Sequence, residues 1–146
     1  MDINNISEVN AKYIFFINED GKQDRKTAHY SELQEILDDL QTDYYFYMRM
    51  LRETETTYNR INVDYETTEK RIADLEKRIA ERKEEPAVKR GLADICFDYE
   101  NAKKDSGKIA MQLSGIRQVS HDTRNKLERA ERLIKQVESA MRRCVA

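Results

Sequence analysis

The sequence predicts an all-α chain, a long antiparallel two-helix coiled-coil hairpin preceded by a short N-terminal extended or β segment. Three observations predict it. Apolar residues recur at alternating steps of four and three through most of the chain, a break in the middle holds the only proline, and the composition suits a thin core better than a thick one. Of 146 residues, 37% are charged and 39% apolar, with four glycines and no tryptophan. So few helix breakers over this length argue against a turn-rich β protein.

In chain order, residues 1–28 form the N-terminal extended segment. Met1 to Ala11 is polar, and Tyr13-Ile14-Phe15-Phe16-Ile17 then reads as a strand because β-branched and aromatic residues fit a half-buried pleat. Asn18-Glu19-Asp20-Gly21 reads as a turn. The return from Lys22 to Thr27 is polar without alternation, so a hairpin formed there in isolation would be marginal.

Residues 29–146 form the helical hairpin, with a helix over 30–84, a turn over 85–90 and a second helix over 91–143. Ser31 and Gln34 have the spacing of a capping box, and Glu32 and Glu35 complement the positive end of the helix dipole. The first seam runs Leu33, Leu37, Leu40, Tyr44, Tyr47, Leu51, Thr54, Tyr58, Ile61, Tyr65, Thr68, Ile72, Leu75 and Ile79. The second begins at Leu92 and Ile95 and reaches Val137, Met141 and Cys144 without a slip. Between them stands Lys83-Glu84-Glu85-Pro86-Ala87-Val88-Lys89-Arg90-Gly91, and proline in that position ends a helix.

A turn centred on Ala87 pairs seam residues whose numbers sum to 174, so Leu40 meets Ile134 and Ile61 meets Leu113. This register also sets Thr54 opposite Ser120 and Thr68 opposite Ser106, giving each hydroxyl a possible partner. Charge agrees: Ser31 to Glu85 holds 15 acidic and 9 basic residues, whereas Lys89 to Ala146 holds 8 acidic and 13 basic. The halves attract each other and repel their own kind. The same layers would form in a helix-swapped dimer.

The overall charge of −2 offers no basic face, so neither nucleic acid nor an anionic membrane is expected as partner. The longest apolar run, Tyr13 to Ile17, is too short to span a bilayer, and the reading is a cytoplasmic protein. Cys96 and Cys144 lie on one predicted helix, roughly 70 Å apart at 1.5 Å per residue, and are read as free thiols.

Catalytic and cofactor signatures are lacking. The sequence has no glycine-rich phosphate loop, paired-cysteine metal spacing or nucleophile elbow, and His29 and His121 stand alone among polar neighbours. The expectation is a non-enzyme without cofactor or metal. The residues singled out for protein interaction are Tyr13, Phe15 and Phe16 of the strand, with Tyr45, Phe46, Met48 and Met50 of the first helix. The last four lie off the seam and widen its apolar surface at the base of the hairpin, beyond what two helices can bury. Either the strand folds back over this base, with Ile36, Val119 and Leu133, or the base is a docking face.

Function is therefore expected to be that of a structural or adaptor protein mediating assembly, with another protein or with a second copy in a four-helix bundle. The alternative is a small regulator or inhibitor that docks on or inserts into a larger machine. Phage- and virus-encoded proteins include such regulators, and the hairpin is similar in length and shape to the stalk subunits of secretion ATPases. In that case the tip residues Glu84, Glu85 and Arg90 would carry the contact.

Overall fold

The computed structural model describes residues 2–83 and 89–145. Three strands, β1 (Ile6–Val9), β2 (Tyr13–Ile17) and β3 (Gln23–Thr27), precede two helices, α1 (Tyr30–Lys83) and α2 (Lys89–Val145). The chain is thus mostly helical, with a three-stranded antiparallel sheet in the order β1-β2-β3 where a single extended segment was expected. Glu84 to Val88, the heart of the expected turn, lies outside the described residues, and Lys89 and Arg90 already belong to α2. Helix α1 begins one residue before Ser31, with the Leu33 N–H donating to the His29 carbonyl at 2.9 Å. No helix among the described residues is long and apolar enough to cross a membrane.

The residues form two compact units, one running up to Arg52 and resuming at His121, the other spanning Glu53–Ser120. In the first unit, asparagine side chains shape both turns of the sheet. Asn10 Oδ1 accepts from the N–H groups of Lys12 and Tyr13 at 2.9 and 2.7 Å, and Asn18 Oδ1 accepts from those of Asp20 and Lys22, both at 3.0 Å. Gly21 closes the second turn at φ +75°, a conformation in which a Cβ would crowd the backbone.

Strand β1 solves a spacing problem. Ile6 and Val9 are three residues apart and would face opposite sides of a regular strand. Ile6 opposes Phe16 whereas Glu8 opposes Phe15, so a bulge at Ser7 intervenes and both apolar side chains are buried. They join Ile14 of β2 in a core with Leu33, Ile36 and Leu40 of α1 and Leu133, Val137 and Ala140 of α2. Val119, expected in this cluster, is 45% exposed.

Side chains of α2 satisfy the outer edge of β1 and the residues that lead into it. Arg129 Nη2 donates to the carbonyls of Ile3, Asn4 and Ile6 at 2.8, 3.1 and 2.7 Å. Arg132 Nη1 donates to the Ser7 carbonyl at 3.1 Å, and Gln136 Oε1 accepts from the Val9 N–H at 2.9 Å. A guanidinium suits this task because its donors fan out in a plane toward several oxygens. On the other edge, polar β3 pairs with β2 along its whole length, and Lys26 meets Glu32 in the first turn of α1 at 2.7 Å. The return segment is a strand because its backbone pairs, not because its side chains are apolar.

In the second unit Ile72 and Leu75 of α1 and Ala102 of α2 are buried together, with Ile95 and Tyr99 packed against them. Polar bonds join the two helices along this unit. The Tyr99 hydroxyl donates to Glu76 Oε1 at 2.9 Å, the Ser106 hydroxyl to Glu69 Oε1 at 2.5 Å, and Arg117 Nη2 to the Tyr58 oxygen at 2.7 Å. The Thr68 hydroxyl does not turn to Ser106. It donates to the Asp64 carbonyl of its own helix at 2.9 Å, a local bond that threonine makes without ordering a second side chain.

Replacing Ile14, which is fully buried, by alanine is expected to lower unfolding stability by about 2–5 kcal/mol in a urea titration. Arg129→Ala is expected to speed amide exchange in Ile6–Val9, as three carbonyls lose a charged donor worth about 1.5–3 kcal/mol per bond. Unchanged exchange there would show that packing alone holds the strand.

Candidate functional site

The seven residues singled out for interaction all fall in the first unit, on distinct faces. Strand alternation puts Ile14 and Phe16 on the face toward the helices, and Tyr13 and Phe15 on the opposite one. On that outer face the Tyr13 and Phe15 rings meet edge to face at 6.1 Å, and the Arg25 guanidinium lies 4.3 Å from the Tyr13 centroid. All three aromatic residues of β2 are half-buried. A shallow recess lined by Phe15, Gln23, Asp24 and Arg25 adjoins them.

Helix geometry separates the other four. Consecutive residues project about 100° apart, so Tyr45 and Phe46 leave α1 on either side of its outward face. Tyr45 leans on Tyr44, ring centroids 5.7 Å apart, while Phe46 leans on Tyr47 at 5.6 Å. Tyr44 and Tyr47 are half-buried in the seam, and Lys126 of α2 reaches within 5.8 Å of the Tyr47 centroid. Tyr45 is 71% exposed and Phe46 59%, so the N-terminal strand does not shelter them. Met48 is half-buried, and Met50, 37% exposed, accepts a hydrogen bond at its sulfur from the buried Thr123 hydroxyl at 3.7 Å. The methionines therefore serve packing at least in part, and the outward apolar surface of this helix is carried by the two rings.

Beside Tyr45 an open groove of about 420 Å³ runs between the helices. Its lining comprises Gln41, Tyr44 and Tyr45 of α1 with Glu131, Ile134, Lys135 and Glu138 of α2. It has an apolar floor, an exposed ring on one wall and carboxylates on the other. Neither Glu131 nor Glu138 makes an ion pair among the described residues, and the α1 residue that shares the groove with them, Gln41, is neutral. A smaller recess lies between the turn at Asn10 and α2, where Lys135, Ser139 and Arg143 form one side.

Sequence reasoning missed Glu131, Lys135 and Glu138 as groove residues. The available signal was the seam itself, since positions flanking it ordinarily pair opposite charges and here set glutamine against glutamate. Among the described residues, no group of three or more His, Cys, Asp or Glu side chains is arranged to hold a metal ion. Cys96 is half-buried and Cys144 exposed, both free, with the Cys144 thiol 3.6 Å from the Ala11 carbonyl.

Comparison with protein-family models, curated proteins and solved structures finds no match to this chain.

Side chains held chiefly by solvent contribute little to folding. Tyr45→Ser and Phe46→Ser are each expected to shift unfolding stability by no more than about 0.5–1 kcal/mol, whereas Leu40→Ala, at a buried seam position, costs about 2–5 kcal/mol. Parallel thermal and urea melts check this contrast. A large loss at Tyr45 would mean that the ring is part of the core.

Proposed function

We propose that this chain is a non-enzymatic structural or adaptor protein, an antiparallel coiled-coil hairpin that assembles with a protein partner through the exposed aromatic residues of α1. The observation that carries this reading is the exposure of the Tyr45 and Phe46 rings next to the half-buried seam residues Tyr44 and Tyr47. Large rings left in water beside an open groove are typical of surfaces that lose that water on binding.

Support for the hairpin comes from inside each unit. Every seam position of α1 from Leu33 to Ile79 is buried or half-buried, as is every seam position of α2 from Leu92 to Met141. Interhelical hydrogen bonds advance along one helix as they retreat along the other. The pairs Glu76–Tyr99, Glu69–Ser106 and Tyr58–Arg117 each sum to 175, and Met50–Thr123 sums to 173, on either side of the 174 required by a turn at Ala87. A parallel pairing would hold the difference constant instead of the sum.

Two measurements test the reading. With Cys96 and Cys144 changed to Ser, the pair Thr68→Cys and Ser106→Cys is expected to form an intrachain disulfide on mild oxidation. Thr68→Cys with Tyr99→Cys, one heptad out of register, is expected to form none. A disulfide found only between chains would replace the hairpin by a helix-swapped dimer. For function, Tyr45→Ser with Phe46→Ser is expected to abolish assembly seen by light scattering or on co-purification, with the helix content unchanged. Substitution of Glu84, Glu85 and Arg90 should leave assembly intact. The opposite pattern would favour a regulator acting through its tip.

A further inference from the structure

The groove beside Tyr45 carries more acid than the fold uses. From Tyr30 to Met48, helix α1 holds the carboxylates of Glu32, Glu35, Asp38, Asp39 and Asp43 and neither lysine nor arginine. The helix dipole favours acid in the first turn and fades beyond it, so it does not account for the three aspartates. Across the seam, Glu131 and Glu138 of α2 line the groove, and Lys135 is the basic residue among its lining. Asp38 stands two turns before Tyr45 on the same side of α1. The groove and its margin thus hold three carboxylates against one ammonium group, and none of the four makes an ion pair among the described residues.

The arrangement of these groups selects a helix as the occupant. Glu131 and Glu138 are seven residues apart, two turns of α2 or about 10 Å. Side chains seven apart on a third helix lying along the groove repeat that spacing, so basic residues there reach both carboxylates at once. The half-buried Tyr44 and Ile134 form the apolar floor, and the exposed Tyr45 ring stands on the α1 wall. An amphipathic helix matches this lining, with its apolar stripe on the floor and its charges along the rim. An acidic helix would meet like charge at Glu131 and Glu138, and so would a second copy laid groove to groove.

We infer that the groove beside Tyr45 docks a basic amphipathic helix of a different protein. Its Lys or Arg side chains, seven residues apart, meet Glu131 and Glu138, and an apolar residue between them rests on Tyr44 and Ile134. This rests on the assembly reading above and names the chemistry of the partner.

A designed helix serves as the probe. It is a fluorescein-labelled peptide of about three heptads with leucine at a and d and lysine at e and g, and its twin carries glutamate in place of lysine. In fluorescence anisotropy with the full chain, the lysine peptide is expected to bind at least about tenfold tighter than its twin, the difference shrinking as salt rises to about 0.5 M. Glu131→Lys with Glu138→Lys is expected to reverse the preference. Glu131→Gln with Glu138→Gln is expected to remove most of it, and circular dichroism verifies that each variant folds. The control is Asp39→Lys with Glu53→Lys, an equal change in net charge at exposed positions in line with Phe46, about 100° around α1 from the line of Tyr45. It is expected to keep the preference. The inference is overturned if the lysine peptide does not bind, if its twin binds equally well, or if the control pair weakens binding as much as the groove pair. Self-association of the parent that Glu131→Lys with Glu138→Lys abolishes would also overturn it, since the occupant is then a second copy. Should Tyr45→Ser with Phe46→Ser abolish assembly while the groove pairs leave it intact, the inference fails and the assembly reading stands. Should neither set alter assembly, both fail.

Discussion

A three-stranded sheet of 4 to 5 residues per strand cannot bury its own apolar face, and this constraint organises the first unit. Ile6, Val9 and Ile14 leave water only because Leu33, Ile36, Leu133, Val137 and Ala140 close over them. Each large aliphatic side chain so buried contributes about 1.5–3 kcal/mol, enough in sum to offset the ordering of a short polar strand such as β3. The helices gain in return, because two helices alone would leave Ile36, Leu133 and Ala140 beside the seam in water. The bulge at Ser7 is what lets one short strand direct both its aliphatic residues into that closure.

Polar groups also find their partners locally. The β1 edge would present unpaired carbonyls at the margin of a core, and α2 answers with Arg129, Arg132 and Gln136. In the second unit tyrosine takes seam positions that leucine could fill. Its ring packs while its hydroxyl reaches the rim, where Tyr58 meets Arg117 and Tyr99 meets Glu76. Lys103 stands 4.5 Å from the Tyr99 centroid, and its hydrogen bond to Tyr99 holds its ammonium group above the usual lysine range.

The helices are legible in the sequence because a heptad repeats its message many times, and an error at Thr54 or Thr68 is outvoted by neighbouring Leu, Ile and Tyr residues. Strand β1 is not legible. Its two aliphatic residues are spaced three apart, which fits neither alternation nor a helical face over so short a run, and only the bulge reconciles them. Asn10 is the overlooked clue, since it shapes its turn by the same side-chain bonds as Asn18, whose turn the sequence does announce. Thr68 shows a different limit. Register places it opposite Ser106, but the choice between a cross-helix partner and the helix's own carbonyl depends on rotamers that periodicity does not encode. The aromatic base fails as one patch for a simpler reason: adjacency in sequence separates side chains around a helix, and strand alternation turns Tyr13 and Phe15 away from it.

The two flanks of the seam are therefore unequal in the first unit. On the flank of Ile36, Leu133 and Ala140 the core is thickened and capped by the sheet. On the flank of Gln41, Glu131 and Glu138 nothing among the described residues caps it, and an open groove remains beside the half-buried Tyr44. A coiled coil that needed only its own stability would carry opposite charges on this flank, as such seams ordinarily do. Glutamine facing glutamate contributes little to folding and leaves carboxylates available, and Tyr45 adds apolar surface at the same place. Sequence features that do nothing for the fold thus converge on the flank the fold leaves uncovered, and that convergence, more than the exposure of any single ring, is what supports the proposed assembly surface.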